Sequence, residues 1–152
     1  MSKPAALSAV LALGLALPVA SVAITAADAA PAKATGVKLT ASLTGPAEIP
    51  GPGDADGTGT FTGRLNVGQG KLCYTLTSAN LATLTMAHIH VGEAGKSGPP
   101  VVTLAANAPT ETCMDVPKDV AQKIVAGTAG YYVNIHTSDH PAGAIRGQLT
   151  KG

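Results

Sequence analysis

Alternating apolar and polar residues predict that this chain folds into short β-strands. Residues 37–43 read Val-Lys-Leu-Thr-Ala-Ser-Leu, with an apolar side chain at every second position. Because successive side chains of a strand point to opposite faces of a sheet, this segment predicts a strand with one buried face. Similar patterns recur in seven further segments, at residues 58–66, 71–78, 84–91, 101–104, 110–116, 130–137 and 144–150. We therefore expect about eight strands.

One segment has the periodicity of a helix. Val120 and Ile124 lie four residues apart and place an apolar stripe on one side. Pro117 suits a first helical position, Asp115 is a candidate cap just upstream, and Gly127 suits the end. The chain also carries 18 glycines and 11 prolines, which are residues typical of turns. One short helix among about eight short strands predicts an all-β fold, namely an antiparallel β-sandwich or Greek-key barrel of the immunoglobulin-like type.

The N-terminal segment has the layout of a secretory signal. The run from Ala5 to Ala27 contains no charged residue, Lys3 precedes it, and Ala27-Asp28-Ala29 fits a signal-peptidase site. We expect three segments: a signal peptide at residues 1–29, a linker at 30–36 and a β domain at 37–152. The alternative is an uncleaved membrane anchor, since the apolar run is long enough to span a bilayer. In both cases we expect export to the periplasm or the cell exterior. If the signal is cleaved, we expect no remaining membrane span.

Cysteine usage and charge narrow the class of protein. Cys73 and Cys113 are the two cysteines, and an even number in an exported domain predicts a disulfide between them. A pair of free thiols is the alternative. The formal net charge is +1 at pH 7, and 12% of the residues are charged. Such a neutral chain lacks the basic surface that attracts nucleic acids or anionic membranes, so we expect neither as a partner.

The histidines are the strongest candidates for chemistry. They form two groups in the sequence, His88 with His90 and His136 with His140. On the expected strands, His88 and His90 share one face, and Asn134 likewise lies beside His136, away from the apolar residues of its strand. A His-x-His pair plus one histidine from a neighbouring strand can hold zinc or copper. His140 or Asp139 would complete the ligand set.

The same side chains also fit a structural role. They can form a polar network that donates hydrogen bonds to backbone carbonyls and fixes the glycine-rich loops. The members of this network would be His88, His90, Asn134, His136 and Arg146. Arg146 is expected to form an ion pair with Asp139 or Glu93. A second candidate metal site, for calcium, consists of loop acids: Glu48, Asp54 and Asp56.

Four stretches of the chain carry a family resemblance: Ala87-His88-Ile89-His90, Val101-Val102-Thr103-Leu104, Tyr131-Tyr132-Val133-Asn134-Ile135-His136-Thr137 and Pro141-Ala142-Gly143-Ala144-Ile145-Arg146-Gly147-Gln148-Leu149. Gly92, Gly95 and Gly98-Pro99 follow the first of them. In this order they resemble the CHRD domain family, named after the repeats found in chordin. The resemblance runs from near Leu39 to the C-terminus. It implies an all-β, immunoglobulin-like fold and, for bacterial members, an exported single-domain protein without an assigned activity. It also implies that the histidine and asparagine positions belong to the family pattern.

Residue content gives one main hypothesis of function and two alternatives. The chain offers no nucleophile–base set, no paired acids and no cofactor loop, so we expect a non-enzymatic module that contacts another protein or an envelope component. The first alternative is a zinc or copper binder that uses His88, His90 and His136, with His140 as a further ligand. Its affinity would be lost as the imidazoles protonate below about pH 6. The second alternative is a small redox enzyme that uses one copper ion.

Overall fold

The computed structural model describes residues 35–152. The signal peptide expected at residues 1–29 and most of the linker expected at 30–36 therefore lie outside the described residues. The described residues form nine strands: β1 (Val37–Thr44), β2 (Thr58–Asn66), β3 (Lys71–Ala79), β4 (Leu84–Val91), β5 (Pro100–Leu104), β6 (Ala108–Asp115), β7 (Tyr131–Thr137), β8 (Ile145–Gln148) and β9 (Thr150–Lys151). They also form one helix, α1 (Lys118–Ala126), and two short 3-10 turns, Gly45–Ala47 and Thr128–Gly130.

The strands form an antiparallel sheet that curls on itself. Its order is β5-β4-β7-β8-β1-β2-β3-β6, and β9 pairs with β1. β5 and β6 stand at opposite ends of this order, yet only residues 105–107 connect them. Such a connection spans at most about 14 Å, whereas the strands laid flat would be about 34 Å wide. The sheet must therefore curl until its edges approach each other, which confirms the expected all-β sandwich or barrel.

The predicted apolar faces form the core inside the curled sheet. Fully buried side chains come from β1, β2, β3, β4, β7 and β8: Leu39, Leu43, Phe61, Leu65, Leu72, Leu76, Ile89, Ile135 and Ile145. Ile124 of α1 joins the same core. Burying one large apolar side chain contributes about 1.5–3 kcal/mol. The period of two in the sequence thus decides which face of each strand holds the fold together.

Helix α1 starts one residue later than expected. Pro117 precedes it, with a ψ of 133° that lies outside the helical range. Asp115 does not cap the helix, since Pro117 occupies the cap position. The carboxylate of Asp115 pairs instead with Lys71 Nζ of β3 at 2.8 Å. This partner is distant in sequence, so no local pattern reveals it. Gly127 ends the helix as expected and donates its N–H to the carbonyl of Lys123 at 3.0 Å.

The strand expected at residues 144–150 is interrupted between β8 and β9. β8 pairs with β7, and β9 pairs with β1. Leu149 lies between them and donates its N–H to the carbonyl of Tyr131 at 2.9 Å. Gly147 lies where β8 passes close to β1, since a Cβ there would be 2.1 Å from the carbonyl oxygen of Ser42. The missing side chain allows this close approach of two backbones.

The expected disulfide is present. Cys73 of β3 and Cys113 of β6 lie directly opposite each other, with an S–S distance of 2.04 Å. It ties β6, at one end of the strand order, to its neighbour. Within residues 35–152, no helix is long and apolar enough to cross a membrane.

Candidate metal centre

Strands β4, β7 and β8 carry mostly polar side chains on the face turned away from the core. We call this set the polar face, and its residues are Met86, His88, His90, Tyr132, Asn134, His136, Arg146 and Gln148. The residues between them, such as Ile89 and Ile135, are fully buried in the core. Most of the polar face is buried as well: His136 is 8% exposed and Arg146 is 2% exposed. Other segments of the chain must therefore cover it.

Two loops contact the histidines of the polar face. The loop at residues 92–99 contributes Gly98, whose carbonyl oxygen lies 2.8 Å from Nδ1 of His90. The turn after β7 contributes Pro141, whose carbonyl oxygen lies 3.0 Å from Nδ1 of His136. The sheet therefore supplies the rings, and the loops supply the carbonyls that orient them.

Strand register brings three histidines together. In the β4–β7 pair, His88 lies opposite Asn134, and His136 follows two residues further along β7. One ring nitrogen from each of His88, His90 and His136 lies within 4.8 Å of the other two. Nδ1 of His88 and Nε2 of His136 are 3.3 Å apart. No other group of three side chains with metal-ligand spacing occurs within residues 35–152.

Backbone carbonyls decide which ring nitrogens keep a lone pair. A carbonyl oxygen only accepts hydrogen bonds, so the Nδ1 atoms of His90 and His136 must both carry hydrogen. In the neutral form of each ring, Nε2 then keeps its lone pair. Nε2 of His136 faces His88, whereas Nε2 of His90 is buried without a hydrogen-bond partner among the described residues. A ring held through Nδ1–H on a carbonyl, with Nε2 free, is the usual arrangement of a metal-binding histidine.

The two histidines of β4 are held in the neutral form. Burial lowers the pKa of His88, and the neighbouring His136 and His90 lower it further. Burial also lowers the pKa of His90, against the opposing effect of its hydrogen bond to Gly98. A neutral imidazole is the form that binds a metal, because protonation occupies the lone pair. Both rings can therefore accept a cation at pH 7.

Arg146 is fixed on the polar face by stacking and by one carbonyl. Its guanidinium carbon lies 3.4 Å from the centre of the Tyr132 ring. The same Tyr132 ring stacks on the ring of His90, with 4.8 Å between the centroids. Arg146 also donates from a terminal nitrogen to the backbone oxygen of Glu93 at 3.0 Å. The guanidinium thus supports one side of the histidine cluster without contacting a cation site directly.

The ion pairs expected for Arg146 do not form within the described residues. The carboxylate of Glu93 pairs instead with Lys96 at 3.2 Å. Asp139 accepts a hydrogen bond from the hydroxyl of its neighbour Ser138 at 2.9 Å. Both acids are exposed on loops, whereas the guanidinium is buried. The expected salt bridge of Arg146 was therefore wrong, because an exposed acid gains little from pairing with a buried guanidinium.

Glu48 is a buried acid that reaches this region from the segment after β1. The residue is 3% exposed. Burial raises the pKa of Glu48 to about 7, although the positive charge of Arg146 and hydrogen bonds from Ile49 and Asn134 act in the opposite direction. Gly143 packs against the carboxyl group, since a Cβ there would lie 2.6 Å from it. Glu48 is therefore a packed structural acid, a role that its loop position in the sequence does not indicate.

The remaining candidate ligands lie elsewhere. Asp54 accepts hydrogen bonds from the N–H groups of Asp56 at 3.3 Å and Gly57 at 3.1 Å, and so closes its own loop. His140 Nε2 lies 4.0 Å from a carboxylate oxygen of Asp54, outside the histidine cluster. The structure therefore brings neither His140 nor Asp139 to the cluster, and it does not assemble the loop acids into a calcium site.

Gln148 is a supporting residue that sequence reasoning missed. Its side-chain nitrogen lies within 2.8 Å of the Gly92 carbonyl, 2.7 Å of the Ala129 carbonyl and 2.8 Å of the Tyr131 carbonyl. It thereby fastens the start of the loop at residues 92–99 to β7. Strand alternation does place Gln148 on the polar face, but its acceptors belong to other segments, which only the fold brings near.

A known domain family matches most of the chain. The model of the CHRD domain matches residues 39–149, from β1 to the residue after β8. No curated protein matches the chain, and no solved structure matches it. CHRD domains are extracellular β-sandwich modules of the interaction type and are not a known enzyme family. The Cys73–Cys113 disulfide fits an oxidising compartment of that kind. The chain belongs to the CHRD domain family.

Proposed function

We propose that this domain binds a single zinc or copper ion through His88, His90 and His136. The observation that carries the proposal is the convergence of one ring nitrogen from each histidine within 4.8 Å. Three histidine ligands with an open fourth position form a common site for both metals. His88 is half-buried, whereas the other two histidines are buried, so the fourth position is reached from the His88 side.

A purely structural network accounts for only part of this geometry. It explains the contacts of His90 and His136 with backbone carbonyls and the stacking of Arg146. It leaves Nε2 of His90 buried beside the Asn134 side chain but without a hydrogen bond of standard geometry. A buried polar atom left unpaired costs about 1–3 kcal/mol. A bound cation takes the lone pair of that nitrogen together with that of His136, and so removes the cost.

We also propose that the domain is exported and works as a non-enzymatic interaction module. The family and the disulfide support this proposal. The carbonyls of Gly98 and Pro141 hold two of the ligand rings and belong to loops that cover the polar face. A metal that fixes the rings therefore also fixes those loops, and loops on a rigid scaffold are where binding surfaces are usually found. The partner would be another protein or an envelope component.

The test is the metal content of the protein. The full chain is expressed, and the exported protein is purified from an oxidising periplasm without tag or chelator. We expect one zinc or copper ion per chain by mass spectrometry, and none in the His88→Ala, His90→Ala double variant. The matched control is His140→Ala, which removes a histidine outside the cluster and should retain the metal. Added metal should raise the free energy of unfolding by about 2.7 kcal/mol at a concentration one hundred times the dissociation constant.

Circular dichroism and the melting temperature of the apo proteins separate loss of metal from loss of fold. If the wild-type protein carries no metal and is not stabilised by added zinc or copper, the histidines are structural. Equal stabilisation of the wild-type protein and the folded double variant would lead to the same conclusion.

A further inference from the structure

Met86 is an unusual residue on the polar face. It lies on β4 two residues before His88, and it is the direct cross-strand partner of His136 on β7. The residue is 48% exposed, which makes it one of three exposed large apolar residues in the described part of the chain. Packing in the core therefore does not account for a methionine at this position.

Strand geometry puts the Met86 thioether within reach of the histidine cluster. Directly opposed residues in an antiparallel pair have Cβ atoms about 4.5–5.5 Å apart, and residues two apart on one strand are separated by about 7 Å. Methionine is unbranched and has three rotatable bonds after Cα, so its sulfur can turn toward either neighbour. Along β4, Met86 is exposed, His88 is half-buried and His90 is buried, so Met86 lies at the exposed end of the cluster.

The chemistry of the ligand set distinguishes copper from zinc. Imidazole nitrogens bind both metals, whereas a thioether sulfur is a soft ligand that selects Cu(I). Zinc completes a three-histidine site with water and gains nothing from a methionine. We infer that the site is a copper site in which Met86 is the fourth ligand of Cu(I). The inference rests on the proposed metal-binding function and adds the identity of the ion; it involves binding alone, without electron transfer.

The experiment is a competition titration with Cu(I) under anaerobic conditions, using a coloured Cu(I) chelator as the competitor. The proteins are the wild type, Met86→Leu and the control Met114→Leu, each exported as the full chain. Leucine conserves size, so both substitutions should cost little stability. Met114 lies on β6 opposite Leu72, outside the polar face. We expect Met86→Leu to bind Cu(I) at least about tenfold more weakly, since loss of even an outer partner of a metal site costs about 10–100-fold.

Zinc titration of the same three proteins supplies the second readout. We expect the zinc affinity of Met86→Leu to match that of the wild type within about twofold, because water remains available as the fourth ligand. X-ray absorption at the copper edge should detect a sulfur neighbour in the wild type and in Met114→Leu, and none in Met86→Leu.

The outcomes separate this inference from the proposed function. If the wild type binds copper and Met86→Leu binds Cu(I) with the same affinity, the inference is overturned and the three-histidine site stands. If Met86→Leu weakens zinc and Cu(I) equally, Met86 acts by shielding the site, and the inference is again overturned. If the wild type binds neither metal, the proposed function itself fails, and with it the role of Met86.

Discussion

Glu48 makes the stability of the metal-free domain depend on pH. Its ordinary pKa is 4.5, and burial raises the pKa in the folded protein to about 7. Below pH 4.5 both the folded and the unfolded chain bind the proton, so Glu48 does not lower the free energy of unfolding there. Between pH 4.5 and about 7 only the folded chain keeps the proton, so the free energy of unfolding falls as the pH rises.

We expect Glu48→Gln to remove this pH dependence, because the amide has the shape of the acid but cannot ionise. Relative to the wild type, the variant should gain free energy of unfolding between about pH 4.5 and about pH 8, by at most about 3 kcal/mol. Urea unfolding of both proteins without metal, at several pH values, measures the difference. His88 and His90 titrate in both proteins, so their contribution cancels. A difference that stays constant across the range would show that the acid is ionised in the fold.

At the scale of elements, hydrophobic periodicity predicts those strand bounds that depend on neighbouring residues in the sequence. The strands expected at residues 58–66 and 84–91 have those bounds in the structure, as β2 and β4. The break between β8 and β9 could not be predicted in this way. It depends on Tyr131, which accepts the N–H of Leu149, and on the backbone of Ser42, which lies against Gly147. Both partners are distant in sequence and are brought near by the fold alone.

The candidate site is likewise predictable from sequence only in part. A period of two places His88 and His90 on one face, which the sequence predicts correctly. The sequence also predicts hydrogen bonds from the histidines to backbone carbonyls. It does not say which segments cover that face, so Gly98 and Pro141 could not be predicted as the acceptors. The position of His140 was not predictable either, since its ring turns toward Asp54 on a different loop. Sequence alone therefore identifies the ligand types, whereas the fold decides which of them meet.

Gly147 gives a prediction for the pairing of β8 with β1. A Cβ at this position would lie 2.1 Å from the carbonyl oxygen of Ser42, so Gly147→Ala must push the two strands apart. We expect a loss of free energy of unfolding of about 1–3 kcal/mol, the range for overpacking a buried position. Gly130→Ala is the matched control, because a Cβ there meets nothing within 4 Å. Chemical denaturation of both variants is the measurement, and equal stabilities would contradict the close approach of β8 and β1.

At the scale of the whole molecule, the disulfide and the histidine cluster occupy different parts of the sheet. Cys73 and Cys113 join β3 and β6 at one end of the strand order, whereas the histidines lie on β4 and β7 near the other end. The two sites share no strand pair. The chain between β5 and β6 nevertheless links these ends, and Ala105 in this connection donates its N–H to the hydroxyl of Tyr74 on β3 at 2.8 Å. We therefore expect the disulfide to contribute to stability without changing the affinity of the histidine cluster for metal.

Removing the disulfide tests this separation. The two cysteines are 40 residues apart in sequence, so their cross-link restricts the unfolded chain and contributes on the order of 3–4 kcal/mol. We expect the Cys73→Ala, Cys113→Ala variant to lose about that much free energy of unfolding in urea. At a temperature where the variant remains folded, its affinity for zinc and copper should equal that of the wild type, because distant sites contribute additively. A folded variant with weakened metal binding would mean that the disulfide holds β4 in place through the β5–β6 connection, and that redox conditions control the metal centre.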